Sequence, residues 1–232
     1  MKCNTNYLTV NVLRAAAVLI TLPFRAEAQG TFGNLNFEEA NLTPVLGSPL
    51  PSHADNVPIA NALPGWSVYY GGVQQSQINY NDPSLGATAV SLDGLGGEPV
   101  IDGSYSVLLQ GGLSASAATI GQTSLIPVEM QSLMFKAQPG AGPFDILIGS
   151  QAIPFSAIGS GPNYTLYAAN ISAWAGRSEE LSFSALNDGG VNNWVLDDIT
   201  FSPNAVPEPS TLALLVMGGM ALAARRWRAK GS

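Results

Sequence analysis

The sequence has almost no cysteine or histidine. The one cysteine, Cys3, lies close to the start of the chain, and His53 is the one histidine. Downstream of Cys3 there is therefore no disulfide framework, no thiol nucleophile and no Cys/His cluster for a transition metal. Because a lone histidine in a proline-rich loop is a weak basis for a Ser-His-Asp triad, we assign no catalytic residue.

Positive charge is also scarce between residues 29 and 206. This stretch holds Lys136 and Arg177 against fourteen Asp and Glu residues, a net charge of −12, whereas the whole chain has a net charge of −7. Such an acidic surface repels phosphates, so we expect no nucleic-acid partner. It favours cations and neutral partners such as sugars.

The N-terminal end has the composition of an export signal. Lys2 and Arg14 precede an uncharged apolar run over residues 15–24, and Ala26-Glu27-Ala28 has the small-x-small pattern of a cleavage site. We predict a signal peptide over residues 1–28, cleaved after Ala28. The mature chain would then be exported.

The C-terminal end joins a rigid spacer, an apolar run and a basic cluster. Two prolines in Pro207-Glu208-Pro209 fix the backbone, so residues 203–210 should form an extended linker. Residues 211–224 are uncharged and would span about 21 Å as a helix. Arginine and lysine at the end of such a run suit a cytoplasmic membrane interface. We predict a transmembrane helix with a basic cytoplasmic end over residues 211–231.

This order of elements resembles the PEP-CTERM sorting signal of proteins that Gram-negative bacteria export. The resemblance implies a processing partner, exosortase, a membrane transpeptidase-like enzyme that acts near the Pro-Glu-Pro. It also implies a protein that is anchored in the membrane before processing and then reaches the cell surface or extracellular matrix. The residues that carry the resemblance are Pro207, Glu208, Pro209, Arg225, Arg226 and Arg228.

Residues 29–202 show the pattern of an all-β sandwich. Gly, Ser, Asn and Pro recur about every ten residues between short alternating runs, and no sustained helical stripe is present. A proline-rich loop is expected over residues 41–64. The predicted strands cover residues 34–38, 66–70, 74–79, 87–92, 105–110, 116–125, 131–137, 144–148, 164–170, 181–185 and 194–201.

The last predicted strand carries an unusual carboxylate. Period-two geometry places Asp197 on the same face as Ile199 and Phe201, which would bury it. A buried carboxylate costs several kcal/mol unless a cation, a metal or several backbone donors satisfy it. Because basic side chains are scarce, a hard cation with oxygen ligands is an economical partner. The alternative is a solvated acidic strand end without a metal.

Four short motifs resemble landmarks of the galactose-binding-like jelly roll, a fold that includes carbohydrate-binding modules. The resemblance implies a jelly-roll β-sandwich with a structural calcium between its first and last strands. The ligands it implies are Glu38 and Asp197, with Asp198 as a further candidate. The motifs are Asn34-Leu35-Asn36-Phe37-Glu38, Pro64-Gly65-Trp66, Gly103-Ser104-Tyr105-Ser106-Val107-Leu108-Leu109 and Leu196-Asp197-Asp198-Ile199.

An aromatic side chain on the outside of the sandwich is the candidate ligand-binding residue. Tyr69 is out of phase with Trp66 and Val68, so it should point outward and could stack on a sugar; Tyr80 and Tyr164 are weaker candidates. We therefore predict a non-enzymatic protein of the cell surface or exopolysaccharide that binds carbohydrate. Two alternatives stay open: a carboxylate-dependent glycosidase or lyase on the same sandwich, and a structural matrix protein without a specific ligand.

Overall fold

The computed structural model describes residues 31–82, 86–94, 96, 100–187 and 189–206. The predicted signal peptide, the Pro-Glu-Pro and the predicted transmembrane helix over residues 211–231 lie outside this part of the chain. Among the described residues, no helix is long and apolar enough to cross a membrane.

Strands dominate the described residues, and the helices are single turns. The helices are α1 (Thr43–Leu46), α2 (Ile59–Ala62) and a 3₁₀ turn at Ser172–Trp174. The strands are β1 (Ala54–Pro58), β2 (Ser67–Tyr70), β3 (Val73–Gln74), β4 (Gln77–Tyr80), β5 (Ala89–Gly94), β6 (Tyr105–Gly111), β7 (Ala117–Leu125), β8 (Ser132–Gln138), β9 (Phe144–Ile148), β10 (Gln151–Ile153), β11 (Phe155–Ser160), β12 (Thr165–Asn170), β13 (Ser178–Leu186) and β14 (Asn192–Ser202).

These strands form two sheets that pack face to face. The eight-stranded sheet has the order β1-β4-β5-β6-β14-β8-β12-β11, and the six-stranded sheet has the order β10-β9-β13-β7-β2-β3. Neighbours are antiparallel except β4 and β5, which are parallel. Strands far apart in sequence lie side by side, as β6 and β14 do. The prediction of an all-β sandwich with few helices is confirmed.

Alternating apolar side chains build the core between the sheets. In β9, Phe144, Ile146 and Ile148 are buried while the residues between them are partly exposed. The ring of Phe144 stacks on that of Trp194 with centroids 4.3 Å apart. Phe135 on β8 meets Phe183 on β13 edge to face at 5.6 Å, which ties the two sheets together.

The first predicted strand, Asn34 to Glu38, is wrong. These residues form a turn, in which Asn34 has a φ of 49° and Phe37 a φ of 60°. The amide of Asn34 holds the turn by accepting the N–H of Glu39 and donating to the carbonyl of Pro64. Phe37 is fully buried, and its ring lies 5.7 Å from that of Trp66. Leu35 and Phe37 alternate with polar residues as in a strand, but they belong to a turn that packs on the core.

The sequence also missed two strands at the edges of the eight-stranded sheet. The proline-rich stretch over residues 41–64 contains β1, α1 and α2 instead of a continuous loop. Proline is compatible with an edge position, where its missing N–H costs no hydrogen bond within the sheet. β11 was not predicted because none of its residues is fully buried. Its sequence therefore lacks the alternation of apolar and polar residues that marks a half-buried strand.

Candidate functional site

The three predicted metal ligands line one cleft. Glu38, Asp197 and Asp198 surround a space of about 190 Å³ on the outside of the eight-stranded sheet. Three further residues complete its lining: Asn36, Asp102 and Gly103. We call this set of six residues the acidic cleft. The structure thus brings together residues that are far apart in the chain.

A bulge in β14 places the two aspartates. Asp197 pairs with Lys136 and Thr200 with Met134, so β14 has one more residue than β8 between these pairs. Asp198 at the bulge has a φ of 47°, in the left-handed region. Such an extra residue reverses the side on which later side chains lie.

The bulge overturns the predicted face of Asp197. Leu196 and Ile199 both belong to the main core. Val195 instead packs with Ile101 and Leu108 in a small separate cluster. Asp197 therefore lies on the opposite face from Ile199, alongside Lys136, and the prediction that it shares a face with Ile199 and Phe201 is wrong.

Asp197 is nevertheless buried, with 1% of its surface exposed. Its carboxylate accepts hydrogen bonds from the Ser106 hydroxyl at 2.7 Å and from the N–H groups of Asp102 at 3.0 Å and Asp198 at 2.6 Å. Burial raises the pKa of Asp197 to about 6, and these three hydrogen bonds limit the rise. Backbone and hydroxyl donors are thus its direct partners.

Glu38 joins the early turn to the loop before β6. Its Oε1 atom accepts the N–H groups of Ser104 at 2.8 Å and Tyr105 at 2.9 Å. Gly103 has a φ of 62°, and a Cβ at this position would overlap the carboxylate of Glu38. The positive φ favours glycine here, and a larger residue would force the Glu38 carboxylate away from its two N–H donors.

Lys136 pairs with the two exposed carboxylates of the cleft. Its ammonium forms ion pairs with Asp102 at 2.5 Å and Asp198 at 2.9 Å, and it lies 5.2 Å from the centre of the Tyr164 ring. Hydrogen bonds to the two aspartates raise the pKa of Lys136 well above its usual value. The hydrogen bond from Lys136, and then that from the Gly103 N–H, lower the pKa of Asp102.

The cleft offers carboxylate oxygens, the type of ligand that binds calcium, but the Lys136 ammonium already contacts oxygens of Asp102 and Asp198. Carboxylate oxygens are the ligands that calcium prefers. Across the part of the chain that the structure describes, no three His, Cys, Asp or Glu residues are grouped so that they could hold a metal ion. The ammonium of Lys136 pairs with two of the four cleft carboxyl groups, those of Asp102 and Asp198.

Sequence reasoning did not assign Asp102 and Lys136 to the site. Asp102 lies between the predicted strands at residues 87–92 and 105–110, and Lys136 lies at an outward position of β8 between buried Phe135 and Ala137. One signal was available: Lys136 and Arg177 are the two basic residues between positions 29 and 206. A buried carboxylate in such a chain has few possible charged partners.

The predicted sugar-stacking residue lies far from the acidic cleft, on the other side of the sandwich. Tyr69 on β2 is half-buried on the outer face of the six-stranded sheet, whereas Trp66 and Val68 are buried in the core. It lies between Gln74 on β3 and Thr119 on β7. Its role in ligand binding stays a prediction.

The other aromatic and histidine candidates have structural environments. Tyr80 is 2% exposed, so it cannot stack on an outside ligand. Tyr164 lies beneath Lys136. His53 is exposed and is hydrogen-bonded to its neighbour Ser52.

The C-terminal sequence matches a known sorting motif. The PEP-CTERM protein-sorting motif matches residues 205–228, which include all six residues singled out for it, from Pro207 to Arg228. The predicted sorting signal is thereby confirmed. It marks the chain as an exported protein that is anchored by its C-terminus before exosortase processes it.

Comparison with solved structures finds carbohydrate-binding modules. A family 11 module from Clostridium thermocellum, in complex with a β-1,3-1,4-mixed-linked tetrasaccharide, has a TM-score of 0.33 and 9% identity, over 67% of this chain and 98% of the module. TmCBM61, in complex with β-1,4-galactotriose, has a TM-score of 0.29 and 14% identity, over 74% of this chain and 96% of that chain. No curated protein sequence matches this chain.

Proposed function

We propose that this chain is a non-enzymatic protein of the cell surface or exopolysaccharide, exported by a Gram-negative bacterium and able to bind carbohydrate. The observation that carries the proposal is the PEP-CTERM motif at residues 205–228, because it specifies delivery to the outside of the cell. The acidic surface, with a net charge of −12 over residues 29–206, supports a neutral ligand over a nucleic acid or another anion.

We propose that the sandwich is a jelly roll and that the outer face of its six-stranded sheet is the sugar site. Tyr69 offers an aromatic ring, and Thr119 lies opposite it on β7, with Ser184 on the next strand, β13. The Thr119 and Ser184 hydroxyls are 2.8 Å apart and hydrogen-bonded to each other. An aromatic platform flanked by a few polar groups is the usual composition of a site that binds a polar, ring-shaped ligand.

A binding experiment tests the sugar site. The full chain in detergent would be applied to an array of neutral and acidic glycans, together with Tyr69→Ala and Val73→Ala. We expect Tyr69→Ala to weaken binding about tenfold, from loss of ring contact. Val73→Ala is the control, because Val73 is an exposed apolar residue on the adjacent strand β3, with 66% of its surface exposed. If the wild type binds no glycan on the array, the carbohydrate-binding proposal is contradicted.

The sorting role has a separate test. Arg225, Arg226 and Arg228 would be replaced by Ser in the full chain, and the cells fractionated. We expect loss of processing and mislocalisation, because the basic end orients the tail. Arg177→Ser, a charge removal in the sandwich, is the control. Normal processing of the triple variant would contradict the proposal.

We also propose a structural calcium in the acidic cleft, held by Glu38, Asp197 and Asp198. The ion would have to displace the Lys136 ammonium from Asp198, because the two cations compete for the same oxygen atoms. It would also have to replace hydrogen-bond donors of Asp197, whose two oxygens both accept hydrogen bonds. A rise in melting temperature on adding calcium, reversed by a chelator, would support this site. An unchanged melting temperature in both the wild type and Lys136→Met would rule it out.

A second candidate function, a carboxylate-dependent glycosidase or lyase, draws support from one observation. Asp197 has a raised pKa and lines a cleft, as a general acid does. Against it, Asp197 is 1% exposed and both of its oxygens accept hydrogen bonds, which leaves no approach for a substrate. An assay for cleavage of a glycan by hydrolysis or elimination tests this alternative. Cleavage by the wild type that is lost in Asp197→Asn would favour the enzyme.

A further inference from the structure

One long stretch of the sandwich sequence carries no charged residue. Between Asp145 on β9 and Arg177, which directly precedes β13, the sequence has no Asp, Glu, Lys, Arg or His. This stretch supplies the rest of β9, all of β10, β11 and β12, and the 3₁₀ turn. β10 ends the six-stranded sheet and β11 ends the eight-stranded sheet. Each sheet therefore ends in a strand from this uncharged stretch, which we call the neutral flank (residues 146–176).

β11 presents an open hydrogen-bonding edge on this flank. It pairs with β12 from Phe155 opposite Ala169 to Ser160 opposite Thr165, with one bulge at Ile158. Among the described residues no strand lies on its other side. Outward backbone N–H and C=O groups of such an edge can pair with a further strand.

The other three edges are shorter or carry charge and proline. β1, at the far edge of the eight-stranded sheet, carries Asp55 and ends at Pro58. β3, at one edge of the six-stranded sheet, has only two residues. β10, at the other edge of the six-stranded sheet, has three residues. Charge, proline and short length all discourage pairing between molecules. β11 has no charge and no proline, and the bulge at Ile158 is its one irregularity.

Charge favours a second copy of this chain as the partner. Two copies, each with a net charge of −12 over residues 29–206, repel one another wherever acidic residues face each other. The neutral flank lacks this repulsion. Within the eight-stranded sheet, the charged residue nearest to β11 is Lys136 on β8, two strands away, and it is held by Asp102 and Asp198.

We propose that β11 pairs with β11 of a second copy in antiparallel register, joining two eight-stranded sheets across a two-fold axis. A two-fold axis makes the contact self-complementary, so one uncharged strand suffices for both sides of the interface. The proposal does not depend on carbohydrate binding. It applies to the exported protein, which the sorting motif concentrates at one surface.

Disulfide trapping in native membranes tests this pairing. In a Cys3→Ser full chain, single cysteines would replace residues 155–160 one at a time, and mild oxidation would be followed by a non-reducing gel. We expect a dimer maximum at one position and a fall on either side, because a disulfide needs Cα atoms about 4–7 Å apart. Thr123→Cys, exposed on the central strand β7, is the control for random collision.

A charge variant completes the test. Ala157→Lys, added to the best cross-linking variant, should reduce the dimer about tenfold through repulsion across the axis, whereas Thr123→Lys should leave it unchanged. Cross-linking no higher than in Thr123→Cys, equal cross-linking at all six positions, or a dimer insensitive to Ala157→Lys would each overturn the proposal. Circular dichroism of the purified variants checks that they are folded.

Discussion

The acidic cleft and the neutral flank are opposite extremes of charge on one sandwich. In the cleft, Asp102 and Asp198 contact the ammonium of Lys136, and Asp197 is buried beside them. The neutral flank has no charged side chain from residue 146 to residue 176. The cleft has several carboxyl groups close together, so it suits a cation. The flank offers backbone groups without repulsion, so it suits another strand.

This contrast predicts that single substitutions in the cleft disturb folding, whereas those on the flank disturb association. Every cleft carboxylate except that of Asp198 accepts at least one backbone N–H. A change there removes partners from buried polar groups, which is costly. On β11 Ala157, Gly159 and Ser160 are exposed, so the folded monomer should tolerate a change of side chain at these positions.

The largest effect is expected from Gly103→Ala. A Cβ at Gly103 would overlap the Glu38 carboxylate, whereas Gly72, with a φ of 83°, has nothing within 4 Å of an added Cβ. We expect Gly103→Ala to lower the free energy of unfolding by about 3–4 kcal/mol and Gly72→Ala by about 1 kcal/mol, since the latter adds strain alone. Urea unfolding measures both. Equal losses would show that Glu38 moves aside freely and that the cleft is loosely built.

The next effect is a dependence on pH. The raised pKa of Asp197, about 6 against a usual 3.8, means that the folded state keeps this proton after the unfolded chain has released it. The wild type should therefore lose about 2–3 kcal/mol relative to Asp197→Asn as the pH rises from 4 to 7. Unfolding in chelator at several pH values measures this difference. Asp55→Asn, on exposed β1, is the control, and a constant difference for Asp197→Asn would contradict the burial argument.

Lys136→Met should have a smaller effect. It removes ion pairs with Asp102 and Asp198, whose side chains are 60% and 39% exposed, so solvent weakens both pairs. We expect a loss of about 1 kcal/mol at low salt and less at high salt. Arg177→Met, which removes an exposed cation without an ion pair among the described residues, should change stability less. A salt-independent loss would point to lost packing of the Lys136 stem on Tyr164.

The smallest effect on stability is expected from Ala157→Lys. Ala157 is exposed on the open edge of β11, so the melting temperature of the monomer should stay close to that of the wild type, with a change under about 0.5 kcal/mol. Its effect should appear only in the dimer fraction. A large loss of monomer stability would mean that the flank, like the cleft, is built into the fold.

Most strands could be predicted because their side chains alternate between core and solvent. β9 occupies the predicted residues, and β6, β7 and β8 differ from prediction by a residue or so at their ends. The failures have particular causes. At residues 34–38, alternation occurs in a buried turn with positive φ at Asn34 and Phe37. At β11, a partly exposed edge strand has no alternation to detect.

Sequence reasoning predicted three residues of the candidate site, but neither its geometry nor the parts of Asp102 and Lys136. Glu38, Asp197 and Asp198 do line one cleft. The argument that buries Asp197 in the main core fails, because period-two counting cannot detect the extra residue at the bulge. Its burial comes instead from the loop that carries Asp102, which covers the outer face of β14.

The sequence by itself determined the sorting address, the sandwich and the uneven distribution of charge. These depend on local order and composition, which need no tertiary contacts to be recognised. Only the tertiary structure decided which partners Asp197 has and that Lys136 pairs with Asp198 in the acidic cleft. It also decided that strands from the uncharged residues 146–176 lie at an edge of each sheet. These features depend on strand order and a one-residue bulge, which arise when distant segments pair and leave no local pattern in the chain.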